Sequence, residues 1–205
     1  MFRRLIALGA LICLVSACTG GSPDPEPSAS AKPTRTSTPP TSPTPSPSRT
    51  GPLTTGPNVQ HGEKPPTMPA VATHHTANGA FDFAAYYLKA LDWSVATNDV
   101  YLLQQVSSPT CAACNRSIAG VRALLASGAY ETGGRFDIES VRAVTGNFKI
   151  RSEYVFEAVT RDQAIVINRP SASPSTVAPA LSHDASLIFV SWTRDGWNIV
   201  GVGAA

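Results

Sequence analysis

Cys111-Ala112-Ala113-Cys114 is the most specific chemical constellation in the chain. Two thiols at this spacing, at the start of a helix, can meet, and three chemistries are open to them: a structural disulfide, a redox-active dithiol, or a shared metal. The redox reading uses the partial positive charge of a helix N-terminus, which lowers a thiol pKa and yields an attacking thiolate. Two features stand against it. Redox CxxC pairs commonly follow a β-strand in a βαβ unit, whereas a helical stretch and the turn Ser107-Ser108-Pro109 precede this one. Ala112-Ala113 also brings no charge near the sulfurs. A metal needs further ligands. His61 lies in a Pro/Ser/Thr-rich stretch, His74 and His75 lie at its end, and His183 is the only histidine inside the domain sequence. No metal and no cofactor are expected, and Cys111 and Cys114 are assigned to a disulfide.

A second set of candidates combines carboxylates with aromatics. Asp82 and Asp92 share a helical stretch with Tyr86, Tyr87 and Trp93, and Trp192 and Trp197 flank a turn near the C-terminus. Asp92 beside Trp93 has the composition of an acid raised in pKa by apolar surroundings. The alternative is an exposed aspartate next to a packed tryptophan. Trp192 and Trp197 read as core and edge packing, or as a ligand platform. A pocket, if present, is expected to draw on Tyr86, Asp92, Trp93, Trp192 and Trp197. The adjacent His74 and His75 are a surface metal or pH-sensing pair, or simply solvated. No phosphate loop, nucleophile elbow or histidine–carboxylate pairing stands out, so no catalytic residue is assigned and the domain is expected not to be an enzyme.

The elements that position these residues read as helices first, then strands. Thr76 or Asn78 can cap a helix from about Gly79 to Thr97, with Phe81, Ala84, Ala85, Leu88, Leu91 and Val95 as its apolar stripe and Tyr86, Lys89, Asp92 and Trp93 off its centre. Val100 to Val106 makes a short second helix. Thr110 can cap a third, Cys111 to Ala126, with Ile118, Val121, Leu124 and Leu125 buried and Gly128 as its C′ residue. After Gly133-Gly134 the period shifts toward two: Phe136 and Ile138, then Tyr154, Phe156 and Ala158, then the apolar runs Ala164–Ile167 and Leu187–Trp192. Asp195-Gly196 between apolar strands is a hairpin signal. The Pro/Ser-rich Arg169–Ala185 reads as a mobile surface loop and a plausible contact site. The sum is an α+β domain over residues 76–203, about three helices packed on an antiparallel sheet of four to five strands.

Upstream the chain changes character. Met1 to Arg4 is a short basic region and Leu5 to Val15 is an apolar run of 11 residues, too short for the roughly 20 a membrane-spanning helix needs. Residues 1–17 therefore read as a cleaved signal peptide. Val15-Ser16-Ala17-Cys18 resembles a bacterial lipobox, which implies that Cys18 is acylated and becomes the mature first residue. Thr19 to Pro66 then holds 13 prolines and 16 serines or threonines in 48 positions, with no aromatic residue. Such a segment cannot bury enough apolar surface to offset the entropy of ordering, so residues 18–70 are expected to form a lipidated, disordered tether.

Charge narrows the partners. The 205 residues carry 16 Lys+Arg against 14 Asp+Glu, and the excess is Arg3 and Arg4 in the cleaved segment. A neutral remainder has no electrostatic footprint for nucleic acid. The expected partners are the membrane, through the lipid anchor, and an envelope protein or a small ligand, at the outer face of the cell membrane.

Four stretches carry a closer resemblance: Gly62–Pro69, Tyr86–Asp99 (YYLKALDWSVATND), Ser107–Cys114 (SSPTCAAC) and Ser186–Trp197 (SLIFVSWTRDGW). Together they resemble an actinobacterial secreted lipoprotein family whose domain has no assigned function. Helices followed by a sheet ending on Trp192-x-x-Asp195-Gly196-Trp197 also resemble the cone-shaped nuclear-transport-factor-2-like superfold. That resemblance implies a curved sheet and, in the enzymes that share it, an acid–base dyad inside the cone. Three functions follow as expectations: a non-catalytic binding or interaction module of the envelope, an extracytoplasmic thiol–disulfide protein using Cys111 and Cys114, and a small-molecule enzyme using Asp92 or Asp82.

Overall fold

The computed structural model describes residues 50–205. The signal peptide, Cys18 and the first part of the tether lie outside the described residues. Within them the order is a single 3-10 turn at Ala70–Thr73, α1 (Ala77–Thr97), α2 (Tyr101–Val106), α3 (Ala112–Ala126), then β1 (Tyr130–Gly133), β2 (Phe136–Ala143), β3 (Tyr154–Asp162), β4 (Ile165–Arg169), β5 (Ala172–Ala178), β6 (Leu181–Thr193) and β7 (Gly196–Ala204). The class is α+β, three helices before an antiparallel β region. No helix among the described residues is long and apolar enough to cross a membrane.

Seven strands form two sheets, ordered β1-β4-β5 and β2-β3-β6-β7. Three chain segments pass from one sheet to the other: β1 into β2, β3 into β4, and β5 into β6. The two sheets therefore meet at a crease. The crossing from β1 to β2 needs glycine. Gly133 has φ +71, and a Cβ there would lie 2.1 Å from the carbonyl oxygen of Ala164 on the neighbouring segment. Gly134 N donates to that same oxygen at 2.9 Å, which closes the crease.

The stretch expected to be a loop, Arg169–Ala185, is instead the end of β4, all of β5 and the first residues of β6. Its Pro174 fits because β5 is an edge strand, where a missing N–H need not break a ladder. At the opposite edge, β1 is finished by side chains. Asn98 Oδ1 accepts from Glu131 N at 2.7 Å while its Nδ2 donates to Glu131 O at 3.1 Å. Asn58 Oδ1 accepts from Gly133 N at 3.0 Å and its Nδ2 donates to Val95 O at 3.0 Å. Residues 131 and 133 point their backbone groups the same way, so two asparagines stand in for a missing strand.

Helix α1 starts as its sequence suggests, with the Thr76 hydroxyl accepting from Gly79 N at 3.0 Å. Its burial differs from the expected stripe. Phe81 is exposed, whereas Phe83, Tyr86, Tyr87 and Trp93 are buried. A helix covered on several sides at once has no single apolar face, so the 3.6-residue rule finds the helix but misplaces its inner surface. The tether boundary also moves. Trp93 Nε1 donates to Leu53 O at 3.0 Å, and Val59 and Met68 pack against the core. Residues from about Leu53 onward thus belong to the folded unit rather than to the tether.

Asn98 closes α1 in the left-handed region, at φ 54, and is buried. Asn98→Gly keeps that backbone conformation but removes the acceptor of Glu131 N and one of the two amide donors to Glu131 O, the other being Asn58 Nδ2. It is expected to lower stability by about 2 kcal/mol, read as a shifted urea midpoint at unchanged slope.

Candidate functional site

Cys111 and Cys114 are joined in a disulfide, and both are buried, at 0% and 1% exposure. Cys111 is also the N-cap of α3: its Sγ accepts from Cys114 N at 3.2 Å. Both sulfurs are thus buried at the start of a helix, without the exposure that marks a reactive thiol.

Of the five residues expected to share a pocket, Trp192 and Trp197 meet, but none of the five lines either of the recesses described below. Tyr86 and Trp93 are core residues, and burial pushes the phenols of Tyr86 and Tyr87 above their ordinary range. Trp197 is buried too, its Nε1 donating to His74 O at 2.9 Å. Trp192 is half-buried at an aromatic corner. His75 stacks on it with ring centres 4.7 Å apart, and Trp197 meets it edge-on at 5.0 Å. His75 Nε2 lies 2.6 Å from Glu153 Oε1, and Glu153 Oε2 accepts from Trp192 N at 3.3 Å. The histidine pair is therefore divided, His74 holding Trp197 by its backbone and His75 latching the start of α1 to the sheet. Among the described residues no three of His, Cys, Asp and Glu gather to hold a metal ion.

Asp92 is in a clamp. Arg135 Nε donates to Asp92 Oδ1 at 2.8 Å and Nη2 to Oδ2 at 2.6 Å. The same guanidinium reaches Glu63 Oε1 at 2.7 Å and Asn58 O at 3.0 Å, and Phe136 N donates to Asp92 Oδ1 at 3.2 Å. Asp92 is thus neither the acid in apolar surroundings nor the exposed aspartate that the sequence offered as alternatives, but a half-buried member of an ion pair. Glu63 responds to the same guanidinium. The hydrogen bond from Arg135 holds its carboxyl below the ordinary range, against the opposing effect of burial and with further help from Gln60 N.

The cavity lies elsewhere, at the crease between the two sheets, roofed by α1 and α3. It has a volume of about 200 Å³. Leu91 and Val95 of α1, Val121 and Leu124 of α3, and Phe136 and Ile165 of the strands supply apolar wall. Its polar lining is Ser94, Ser117, Glu131 and Asp162. Asp162 is buried at 3% exposure, and its Oδ1 accepts from Thr160 Oγ1 at 2.8 Å. A second recess, of about 440 Å³, includes Thr110, Ala112, Arg116 and Arg151; these four residues are exposed, which makes it a surface groove.

Sequence reasoning missed this cavity, though two signals pointed to it. Phe156, Ala158, Thr160 and Asp162 alternate as buried residues along β3, so an apolar face ends in a polar pair. Of the stripe expected to bury α3, Ile118 alone is buried; Val121 and Leu124 face the cavity, and Leu125 is 49% exposed.

Residues 63–203 match a protein family described as "Family of unknown function (DUF6318)". No curated protein matches the chain. Among solved structures, the crystal structure of the intermembrane space region of the chloroplast protein ARC6 is similar at 12% identity, with 64% of this chain and 97% of that chain covered and a TM-score of 0.42. A similarity at that level says nothing of activity.

Because the folded carboxyl of Glu63 ionises more readily than the unfolded one, its contribution to stability is complete above the unfolded value and is lost as pH falls through the folded one. Between about pH 5 and pH 3 the unfolding free energy of Glu63→Gln is expected to fall less steeply than that of the parent chain, as measured by denaturant titration at each pH.

Proposed function

We propose that this chain, which belongs to the family of unknown function that it matches over residues 63–203, is a membrane-anchored, extracytoplasmic bacterial lipoprotein whose domain is a non-catalytic module binding a small apolar ligand. The observation that carries the binding half is the cavity at the crease. An apolar void of about 150 Å³ is enough for a benzene-sized guest. At about 200 Å³, this one suits a single ring or a short alkyl body.

The anchoring half is supported by the lipobox-like Val15–Cys18 and by the tether composition. The Cys111–Cys114 disulfide fits an oxidising compartment. Chemistry by Asp92, His75 or the cysteine pair has less support, because each is committed to a packing partner.

The test of binding uses Gly120, which lines the cavity on α3 and has open space where a Cβ would stand. Gly120→Leu fills that space and gains about 1 kcal/mol of helix propensity. Toluene is expected to raise the unfolding temperature of the parent chain and to leave that of Gly120→Leu unchanged. A parent chain indifferent to toluene overturns the reading.

Anchoring is tested separately. Mass spectrometry of the mature protein is expected to find an acylated Cys18 at the N-terminus, and Cys18→Ser is expected to release the protein from membranes. An unmodified N-terminus at Met1 in the cytosol overturns it.

A further inference from the structure

We propose that the ligand of the crease cavity is a single-chain amphiphile, whose straight alkyl tail lies in the crease while its polar head stays in water at the mouth. This rests on the reading of the cavity as a binding site and goes further, from the shape of the space. On α3 the wall is Ser117, Gly120, Val121 and Leu124, the i, i+3, i+4 and i+7 positions of one helix face. Leu91, Ser94 and Val95 begin the same pattern on α1. From Ser117 to Leu124 the helix axis advances about 10 Å. A volume of about 200 Å³ spread over that length has a mean cross-section of about 20 Å², room for one extended hydrocarbon chain lying along the helix.

The wall asks nothing polar of that chain. Ser94 Oγ donates to Leu91 O at 2.7 Å and Ser117 Oγ to Ala113 O at 3.2 Å, so each hydroxyl turns its one proton into its own helix. Asp162 accepts from Thr160 Oγ1, and Glu131 is engaged within the chain. Burial is uneven around the wall. Ser94, Gly134, Ile167 and Ala178 are buried, whereas Val177, on the edge strand β5, is exposed. The space is therefore half-open, with its mouth beside Val177. A guest that is apolar throughout leaves part of its surface in water there, and each methylene so exposed forgoes the gain of burial. An amphiphile places its head at the mouth and buries its tail.

Alkyl glucosides of four to twelve carbons test this, titrated below their micelle-forming concentrations into the full chain carrying Cys18→Ser, purified without detergent, with binding read by ligand-observed NMR. Affinity is expected to rise about fourfold per methylene and to level off once the tail is longer than the cavity. Octyl sulfate and octyltrimethylammonium are expected to bind within about threefold of octyl glucoside, since a head in water is screened. Gly120→Leu, which fills the middle of the α3 face, is expected to weaken octyl glucoside by about tenfold or more. If toluene raises the unfolding temperature but affinity does not grow with chain length, or one head is preferred by more than about tenfold, the amphiphile inference falls and the cavity reading stands. Growth without levelling, undiminished in Gly120→Leu, is adsorption to the surface and overturns the inference too. If neither toluene nor any alkyl chain binds, both readings fall.

Discussion

One guanidinium holds this fold in its working arrangement. Arg135 stands just past the crease, and its nitrogens reach the segment before the helices through Asn58 O and Glu63, and helix α1 through Asp92. Asp92 passes the constraint on by accepting from Phe136 N, at the start of β2. Three segments far apart in sequence are thereby fixed around one point. A lysine could not replace it, because the arrangement uses the planar fork to grip one carboxylate bidentately and still reach a second. The clamp also has an electrostatic consequence. It directs the guanidinium to Asp92 and Glu63, although Gly134 and Phe136 on either side of Arg135 line the cavity.

The crease and the clamp depend on each other. Gly133 lets the chain turn from one sheet to the other where a Cβ would strike Ala164 O, and that turn carries Arg135 outward to its partners. Asn58 takes part in both. Its carbonyl oxygen accepts from Arg135 while its side chain pairs with Gly133. Asn98 does the same work one pair up the strand, at Glu131. With its edge satisfied by side chains, β1 offers no free ladder there for another strand. The asparagines therefore close the crease and fix the strand that carries Glu131 into the cavity.

Much of this architecture was legible from local patterns. The Thr76 cap, the Asp195-Gly196 hairpin and the Gly128 helix end depend on neighbours a few residues away, and they fall where the pattern puts them. The inner face of α1 did not, because it is set by what surrounds the helix on several sides. The folded status of Leu53 to Pro66 was hidden by composition. Its prolines and threonines match those of the tether before it, and what tells them apart is a single asparagine and a single glutamate with distant partners. Asp92 misled for the same reason: Trp93 is next to it in sequence, but Arg135, 43 positions on, is what its carboxylate contacts. The resemblance to a domain family of unknown function holds at the level of the family, while the pocket residues drawn from aromatic content were displaced by a cavity of aliphatic ones.

The groups with the greatest apparent chemical promise in the sequence are the ones the fold uses as fasteners. The cysteine pair caps a helix, His75 latches a helix to a sheet, and Asp92 completes a clamp. Each sits where two segments must be held, and each spends its hydrogen-bonding capacity in doing so. The crease instead keeps a half-open space between well-fastened walls. A void of that kind survives only if the surroundings cannot collapse into it, since closing it would recover dispersion contacts that an empty space forfeits. The walls come from α1, α3 and both sheets, each tied independently by the disulfide, the latch, the clamp or the asparagine pairs. Collapse would have to break one of those ties to gain contacts worth about 1 kcal/mol per methyl-sized gap. The ties that fix these residues to their partners are thus what keeps the space at the crease open.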